Sequence, residues 1–458
     1  MRRDSSVDMT YGGSLRHIVS FALPLFFGNI FQQLYNTADC FVVGHFLGRD
    51  ALAAIGSTSQ LVFTVIGFFG GFSTGAQVVI SQLFGAKDVT GMGRAVHTAI
   101  ASSFAISVFM TLLSILVTTP VLRLINVPEE AFPLAQSYLR IYFSGTPFLI
   151  LYNMGSGILR ALGDSKRPLI FLVISSLLNI ALDFVFVALF RLGVDGAAWA
   201  TVISEAVSLV LVFSVLLFTK GAYKVDLKKL RIDVPLLSQM LKIGLPGALS
   251  SSLTAFSNTF LQKYVNDFGP ACTAGWAVFA RFDQLAIMPM MSISLAATTF
   301  VSQNFGAGKM ARIWQGMRIS FALILSITAA LSIVLIVLAR FLSGLFVGDE
   351  ESAGYAVLFI RYTSPFYILC ATTMLLSQIL RGIGDSIAPT AITFSGFILF
   401  RQFFLFAAAR FFPSFSLVAA AYPLAWVLTS ICMVLYFGKA AQKTALSKNG
   451  RKLCELNA

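Results

Sequence analysis

Apolar runs of roughly 20 residues, separated by short polar connectors, recur along the whole chain. Each can cross a bilayer as a helix. They use Gly, Pro and Phe freely and lack the ten-residue alternation of barrel strands, so strands are excluded. The pattern predicts crossings at 18–44, 53–80, 95–119, 136–159, 168–190 and 196–218. A second series follows at 237–266, 274–301, 314–338, 354–380, 389–411 and 417–438. The expected fold is an all-α membrane protein with twelve transmembrane helices in two pseudo-symmetric six-helix lobes. The predicted division is 1–218 for the N-lobe, 219–235 for a linker, 236–438 for the C-lobe and 439–458 for a tail. The first run follows Arg2 and Arg3 as a signal peptide would, but it is too long, is interrupted by Asn29, Gln32, Gln33, Asn36 and Asp39, and has no small-residue cleavage site.

The two series are copies. Ser81-Gln82-Leu83-Phe84-Gly85-Ala86 returns as Ser302-Gln303-Asn304-Phe305-Gly306-Ala307, and Leu159-Arg160-Ala161-Leu162-Gly163-Asp164-Ser165 returns as Leu380-Arg381-Gly382-Ile383-Gly384-Asp385-Ser386. Both shifts are 221 (302 − 81 and 380 − 159). Six crossings per copy return the chain to its starting side, so the copies share one orientation. Parallel halves of this kind place a substrate path between them in transporters.

Composition agrees with this reading: 57% of residues are hydrophobic, only 12% are charged, and the mean hydropathy is +0.83, which excludes a soluble globular chain. The net charge of +13 does not indicate a nucleic-acid partner, because its placement is topological. Lys220, Lys224, Lys228, Lys229 and Arg231 cluster in the linker, and Lys439, Lys443, Lys448, Arg451 and Lys452 in the tail. The opposite loops hold Arg49, Arg123, Arg191, Arg340 and Arg410. The asymmetry predicts cytoplasmic termini. The cysteines Cys40, Cys272, Cys370, Cys432 and Cys454 show no CxxC spacing and indicate neither disulfides nor a metal centre.

An ionised carboxylate inside a bilayer costs several kcal/mol, which makes Asp39, Asp183, Glu205 and Asp283 functional candidates. Asp39 follows Pro24, which can bend the first helix by removing a backbone hydrogen bond. Asn179 and Asp183 share a helical face at i, i+4, as do Thr201 and Glu205. Carboxylates, an amide oxygen and a hydroxyl from three helices can enclose a dehydrated cation or hold one shared proton. They can also be packing hydrogen bonds between helices. The second copy is an internal control: Leu261, Phe400, Phe404 and Tyr422 stand where the first has Asp39, Asn179, Asp183 and Thr201. This asymmetry favours an ion site in the first half alone.

Pro24, the stretch Tyr35-Asn36-Thr37-Ala38-Asp39 running on to Val43-Gly44, the Ser-Gln-x-Phe-Gly-Ala loops and the Leu-Arg-x-x-Gly-Asp-Ser turns resemble those of the multidrug and toxic compound extrusion (MATE) family of bacterial antiporters, over nearly the whole chain. In DinF-like members the positions matching Asp39, Asn179, Asp183 and Thr201 line the N-lobe cation or proton site. NorM-type members place acids in the seventh and tenth helices, and 237–266 and 354–380 contain none. Glu205 stands where an uncharged polar residue is expected. The resemblance implies a plasma-membrane secondary antiporter that exports small-molecule drugs or toxic metabolites, amphipathic and often cationic, in exchange for Na⁺ or H⁺. It further implies no cofactor beyond that ion, a monomer surrounded by membrane lipid, and no enzymatic activity. A lipid-linked oligosaccharide flippase of the same superfamily is the alternative.

Asn36, Glu205, Arg281, Asp283 and Arg401 are further candidates for a cavity wall. Asp283 can equally form a buried structural pair with an arginine. Gly67, Gly71 and Gly75 make a small-residue ridge suited to close helix packing. Gly306-Ala307-Gly308-Lys309 ends like a phosphate-binding loop, but Gln303 and Met310 replace its required glycine and hydroxyl residue.

Overall fold

The computed structural model describes residues 6–124, 127–411 and 414–444. Arg2, Arg3, Lys448, Arg451, Lys452 and Cys454 therefore lie outside the described residues. The described chain is helical throughout, in the order α1 (Ser14–Leu47), α2 (Arg49–Gly85), α3 (Val89–Leu124), α4 (Phe132–Ser144), α5 (Thr146–Ala161), α6 (Lys166–Asp183) and α7 (Gly193–Phe218). It continues as α8 (Val234–Asn266), α9 (Pro270–Gly306), α10 (Met310–Gly344), α11 (Glu350–Thr363), α12 (Tyr367–Gly382), α13 (Ile387–Phe394), α14 (Arg401–Phe411) and α15 (Phe415–Thr444). Nine spans among the described residues are long and apolar enough to cross a membrane on strict length and hydropathy grounds. The remaining predicted crossings correspond to α2, the α4–α5 pair and α8.

Four predicted helices are interrupted, the tenth by a short 3-10 turn at Ser364–Phe366 between α11 and α12. The fourth crossing breaks at Gly145, where α4 ends and Pro147 occupies the first turn of α5; proline suits that turn because its missing N–H has no partner to lose. The fifth passes from α6 into a π-helical turn, Phe184–Leu189, immediately after Asp183. Its counterpart has a π-helical turn at Ser395–Phe400, between α13 and α14. Such turns reorient the side chains that flank them.

The chain forms two compact units. The first comprises Met1–Asp8 and Leu23–Leu245, the second Met9–Ala22 and Pro246–Ala458. This division differs from the predicted linker boundary: the start of α1 groups with the second unit and the start of α8 with the first. The crossover points fall beside Pro24 and at Pro246. Close packing explains the placement of α8. A Cβ on Gly75 would collide with the Met240 carbonyl oxygen, and Gly244 sits against the backbone of Gly71 and Phe72. The glycine ridge of α2 is thus a helix-packing surface, and Met240 and Ile243 complete a core with Met154, Ile158 and Val212.

In the second unit, α9 is central. Its most apolar window is 78% buried, against 22% for α10. Residues 9–12 are fixed to this unit by polar contacts: Met9 N–H donates to Gln303 Oε1 at 2.9 Å, and the Arg312 guanidinium donates to the carbonyls of Met9, Tyr11 and Gly12. The duplicated Gly-Asp-Ser turns use glycine for its backbone freedom, since Gly163 and Gly384 have φ of 81° and 98°.

Candidate functional site

α1, α6 and α7 bring the predicted acidic set together in the first unit. Asn179 and Asp183 lie one turn apart on α6 and are 1% and 0% exposed; Asp39 on α1 and Thr201 on α7 are 9% and 4% exposed. Asn179 Nδ2 donates to Thr201 Oγ1 at 3.5 Å, and Thr201 Oγ1 in turn donates to the Ala197 carbonyl at 3.1 Å. The carboxyl groups of Asp39 and Asp183 are within hydrogen-bonding reach of each other. Two carboxylates can only accept, so this contact lacks a donor until a proton or cation enters.

The imbalance extends further. Asp39 Oδ1, Asn179 Oδ1 and both oxygens of Asp183 are buried acceptors with no donor. Leaving one buried polar atom unpaired costs about 1–3 kcal/mol, and charged atoms cost more. Four such atoms in one place are complementary to positive charge.

A cavity of about 220 Å³ adjoins the site. Pro24, Tyr35, Asn179 and Glu205 line it, and Arg160 and Ser165 extend the wall along the α5–α6 turn. Asp39 and Asp183 are not among its lining residues, so Asn179 and Tyr35 connect the acid pair to the open space. The volume is below the ~300–1,000 Å³ of pockets that hold a drug-sized molecule. It suits water, an ion or part of a larger ligand. Arg160 is held by Gln77 Oε1 at 3.3 Å.

Sequence reasoning missed three tyrosines. Tyr35 reaches Thr201, and Tyr138 and Tyr142 of α4 lie within the electrostatic field of Asp39 and Tyr35. Tyr35 lay inside a recognised motif; Tyr138 and Tyr142, spaced i, i+4 on a predicted span, were the available signal for the other two. Asn36 is half-buried and does not line the cavity.

The second-half charges separate. Arg281 is exposed. Arg401 is 3% exposed and donates through Nη2 to Ser257 Oγ at 2.7 Å and Asn258 Oδ1 at 2.8 Å. Asp283 accepts from the Tyr367 hydroxyl at 2.7 Å. The ion pair between Asp283 and an arginine, considered from sequence, does not form: no described carboxylate lies within 4.0 Å of Arg401.

The family model described as MatE matches residues 24–185 and 246–406, one match per copy. The chain belongs to the MatE family. Its curated relatives include the probable multidrug resistance protein YoeA of Bacillus subtilis (strain 168), 30% identical over 385 residues, 82% of this chain and 83% of that protein. They also include the multidrug export protein MepA of Staphylococcus aureus (strain MSSA476), 26% identical over 383 residues, 81% of this chain and 82% of that one. Among solved structures, a MOP superfamily transporter from Pyrococcus furiosus matches at TM-score 0.89 and 24% identity, over 97% of this chain and 100% of its own. A MATE crystal structure in complex with MaL6 matches equally well, at TM-score 0.89 and 24% identity over 96% and 99% of the two chains. Those structural neighbours carry twelve transmembrane helices in two lobes, so this MatE-family chain is a multi-pass membrane protein of that fold.

Proposed function

We propose that this MatE-family protein is a secondary active exporter of amphipathic compounds, driven by inward movement of Na⁺ or H⁺ through the Asp39–Asp183 site. The names of YoeA and MepA support the multidrug character of the cargo. The observation that carries the coupling role is the set of donorless buried acceptors on Asp39, Asn179 and Asp183. A cation can satisfy all four acceptors together, and a proton joins the two carboxyls into one hydrogen bond. Thr201 supplies a further oxygen.

The mechanism is a competition between states. A conformation that brings Asp39 of α1 against Asp183 of α6 is stabilised by the ion and disfavoured without it, because bare carboxylates repel. Pro24, which lines the adjacent cavity, removes a hydrogen bond from α1 and gives that helix a point to bend. Ion occupancy thereby changes the cavity, and cargo and ion each favour a different arrangement, which is the thermodynamic requirement for exchange. We place the protein in the plasma membrane with both termini in the cytoplasm, on the distribution of Lys and Arg. The decisive test is efflux of a fluorescent cationic dye from proteoliposomes under separately imposed Na⁺ and pH gradients. One gradient should drive export by wild-type protein, and Asp39→Asn should lose that response. Export by Asp39→Asn at the wild-type rate would reject the coupling role.

A further inference from the structure

The second unit carries a charge cluster on the same duplicated helices that hold the acids in the first. Ser257 on α8 is the counterpart of Tyr35 (257 − 222 = 35), Tyr422 on α15 is the counterpart of Thr201 (422 − 221 = 201), and Arg401 follows Phe400, the counterpart of Asn179. Where one copy presents oxygens that want a cation, the other presents a guanidinium. That guanidinium is buried, touches only neutral acceptors, and leaves its Nε without a partner.

A buried cation without a counter-ion costs several kcal/mol. Asp283 is near enough to lie in the field of Arg401, yet its carboxylate is bonded to Tyr367 instead. The two opposite charges are linked by a wall of rings. The Arg401 guanidinium lies 4.9 Å from the Tyr422 ring centre, Tyr422 packs at 5.5 Å on Trp426, and Trp426 packs at 5.4 Å on Tyr367, whose hydroxyl reaches Asp283. A structural ion pair would bring the charges into contact. This arrangement holds them apart along an aromatic surface, and Asn258, hydrogen-bonded to Arg401, is exposed.

We propose that this cluster is a binding site for an aromatic zwitterion, whose carboxylate meets Arg401, whose ring lies on Tyr422 and Trp426, and whose ammonium group meets Asp283. A carboxylate engages the unfilled edge of the guanidinium in charge-assisted hydrogen bonds. The ammonium group prevents the repulsion from Asp283 that a simple anion would meet. The assignment rests on the export reading only for its physiological meaning; the site itself is defined by binding.

Equilibrium binding of radiolabelled 4-(aminomethyl)benzoate to the full-length protein in lipid nanodiscs tests it, with 4-methylbenzoate, benzylammonium and the methyl ester of the zwitterion as competitors. The zwitterion should bind about tenfold or more tighter than each competitor, the effect of one added charged hydrogen bond. Arg401→Gln should reduce its affinity to that of the methyl ester, and Arg401→Lys should restore part of the preference. Equal affinity for zwitterion and ester in the wild type, or an undiminished preference in Arg401→Gln, overturns the assignment. Should Arg401→Gln fail to fold, the competitor series on wild type and Arg401→Lys still decides. Zwitterion binding without export under either gradient would refute the export reading alone; gradient-driven dye export without zwitterion selectivity would refute this site alone.

Discussion

The Asp39–Asp183 cluster of the first unit and the Arg401 cluster of the second lie on counterpart helices of a duplicated set, at different positions and with opposite charge. In the first, buried oxygens converge with no donor between them. In the second, the guanidinium is permanently part of the chain and is already cradled by Ser257 and Asn258. A site that lacks positive charge can gain and lose it, and so can respond to a gradient. A site with a tethered cation has no such freedom. Duplication thus supplied one scaffold twice, and substitution left donorless acid oxygens in one copy and a tethered guanidinium in the other.

The largest effect should come from Asp183→Asn. The amide brings its own donor to the site and removes a negative charge, so gradient-driven efflux should fall about a hundredfold, corresponding to about 2.7 kcal/mol; proteoliposome flux measures it. A variant that keeps its coupling would break the comparison. Next is the reciprocal transplant, Leu261→Asp, which puts an acid at the counterpart of Asp39. Leu261 is 0% exposed and lies one turn beyond Ser257, an acceptor of the Arg401 guanidinium, so the new carboxylate would meet a tethered cation in place of a mobile one. The variant should therefore create no second ion dependence; thermal unfolding with and without Na⁺ reads it.

Smaller effects sharpen the claim that the second unit is not the ion-responsive one. Arg312→Ala removes the donors that hold the carbonyls of Met9, Tyr11 and Gly12, so hydrogen exchange in residues 9–12 should accelerate about tenfold, as loss of a charged hydrogen bond predicts. Ion dependence of efflux should be unchanged. The smallest loss belongs to Asp349→Ala at the start of α11. Asp349 accepts the Ser352 N–H at 2.8 Å, and the hydrogen bonds from Ser352 hold its carboxyl below the usual range. Because the folded value is lowered, the cap stabilises fully above the ordinary aspartate value of about 3.9 and is lost as pH falls through the folded value. The small melting-temperature gap between wild type and variant should therefore be present at pH 7 and close in acid.

Much of this was legible beforehand. The i, i+4 spacing of Asn179 and Asp183 placed both on one face, and the loss of every polar counterpart in the second copy marked the first as distinct. Other features depended on contacts remote in sequence. The split of the 24-residue apolar stretch at Gly145 was signalled only by Gly145 and Pro147, which hydropathy does not register. Nor could spacing show that the start of α8 packs with the first unit; that follows from Gly75 and Gly244 letting two backbones approach.

Apolar length, repeat period and the cost of charge in lipid are properties of local sequence, and they determined the membrane class, the duplication and the short list of acids. Which of those acids would meet, and which charges would remain unpaired, depended on side chains from different helices arriving at one point. Asp39 found Asp183, whereas Arg401 found only neutral oxygens and a ring while Asp283 turned to Tyr367. Hydrogen bonds need donor and acceptor within about 3 Å of each other, so only the packed helices could decide which groups would pair.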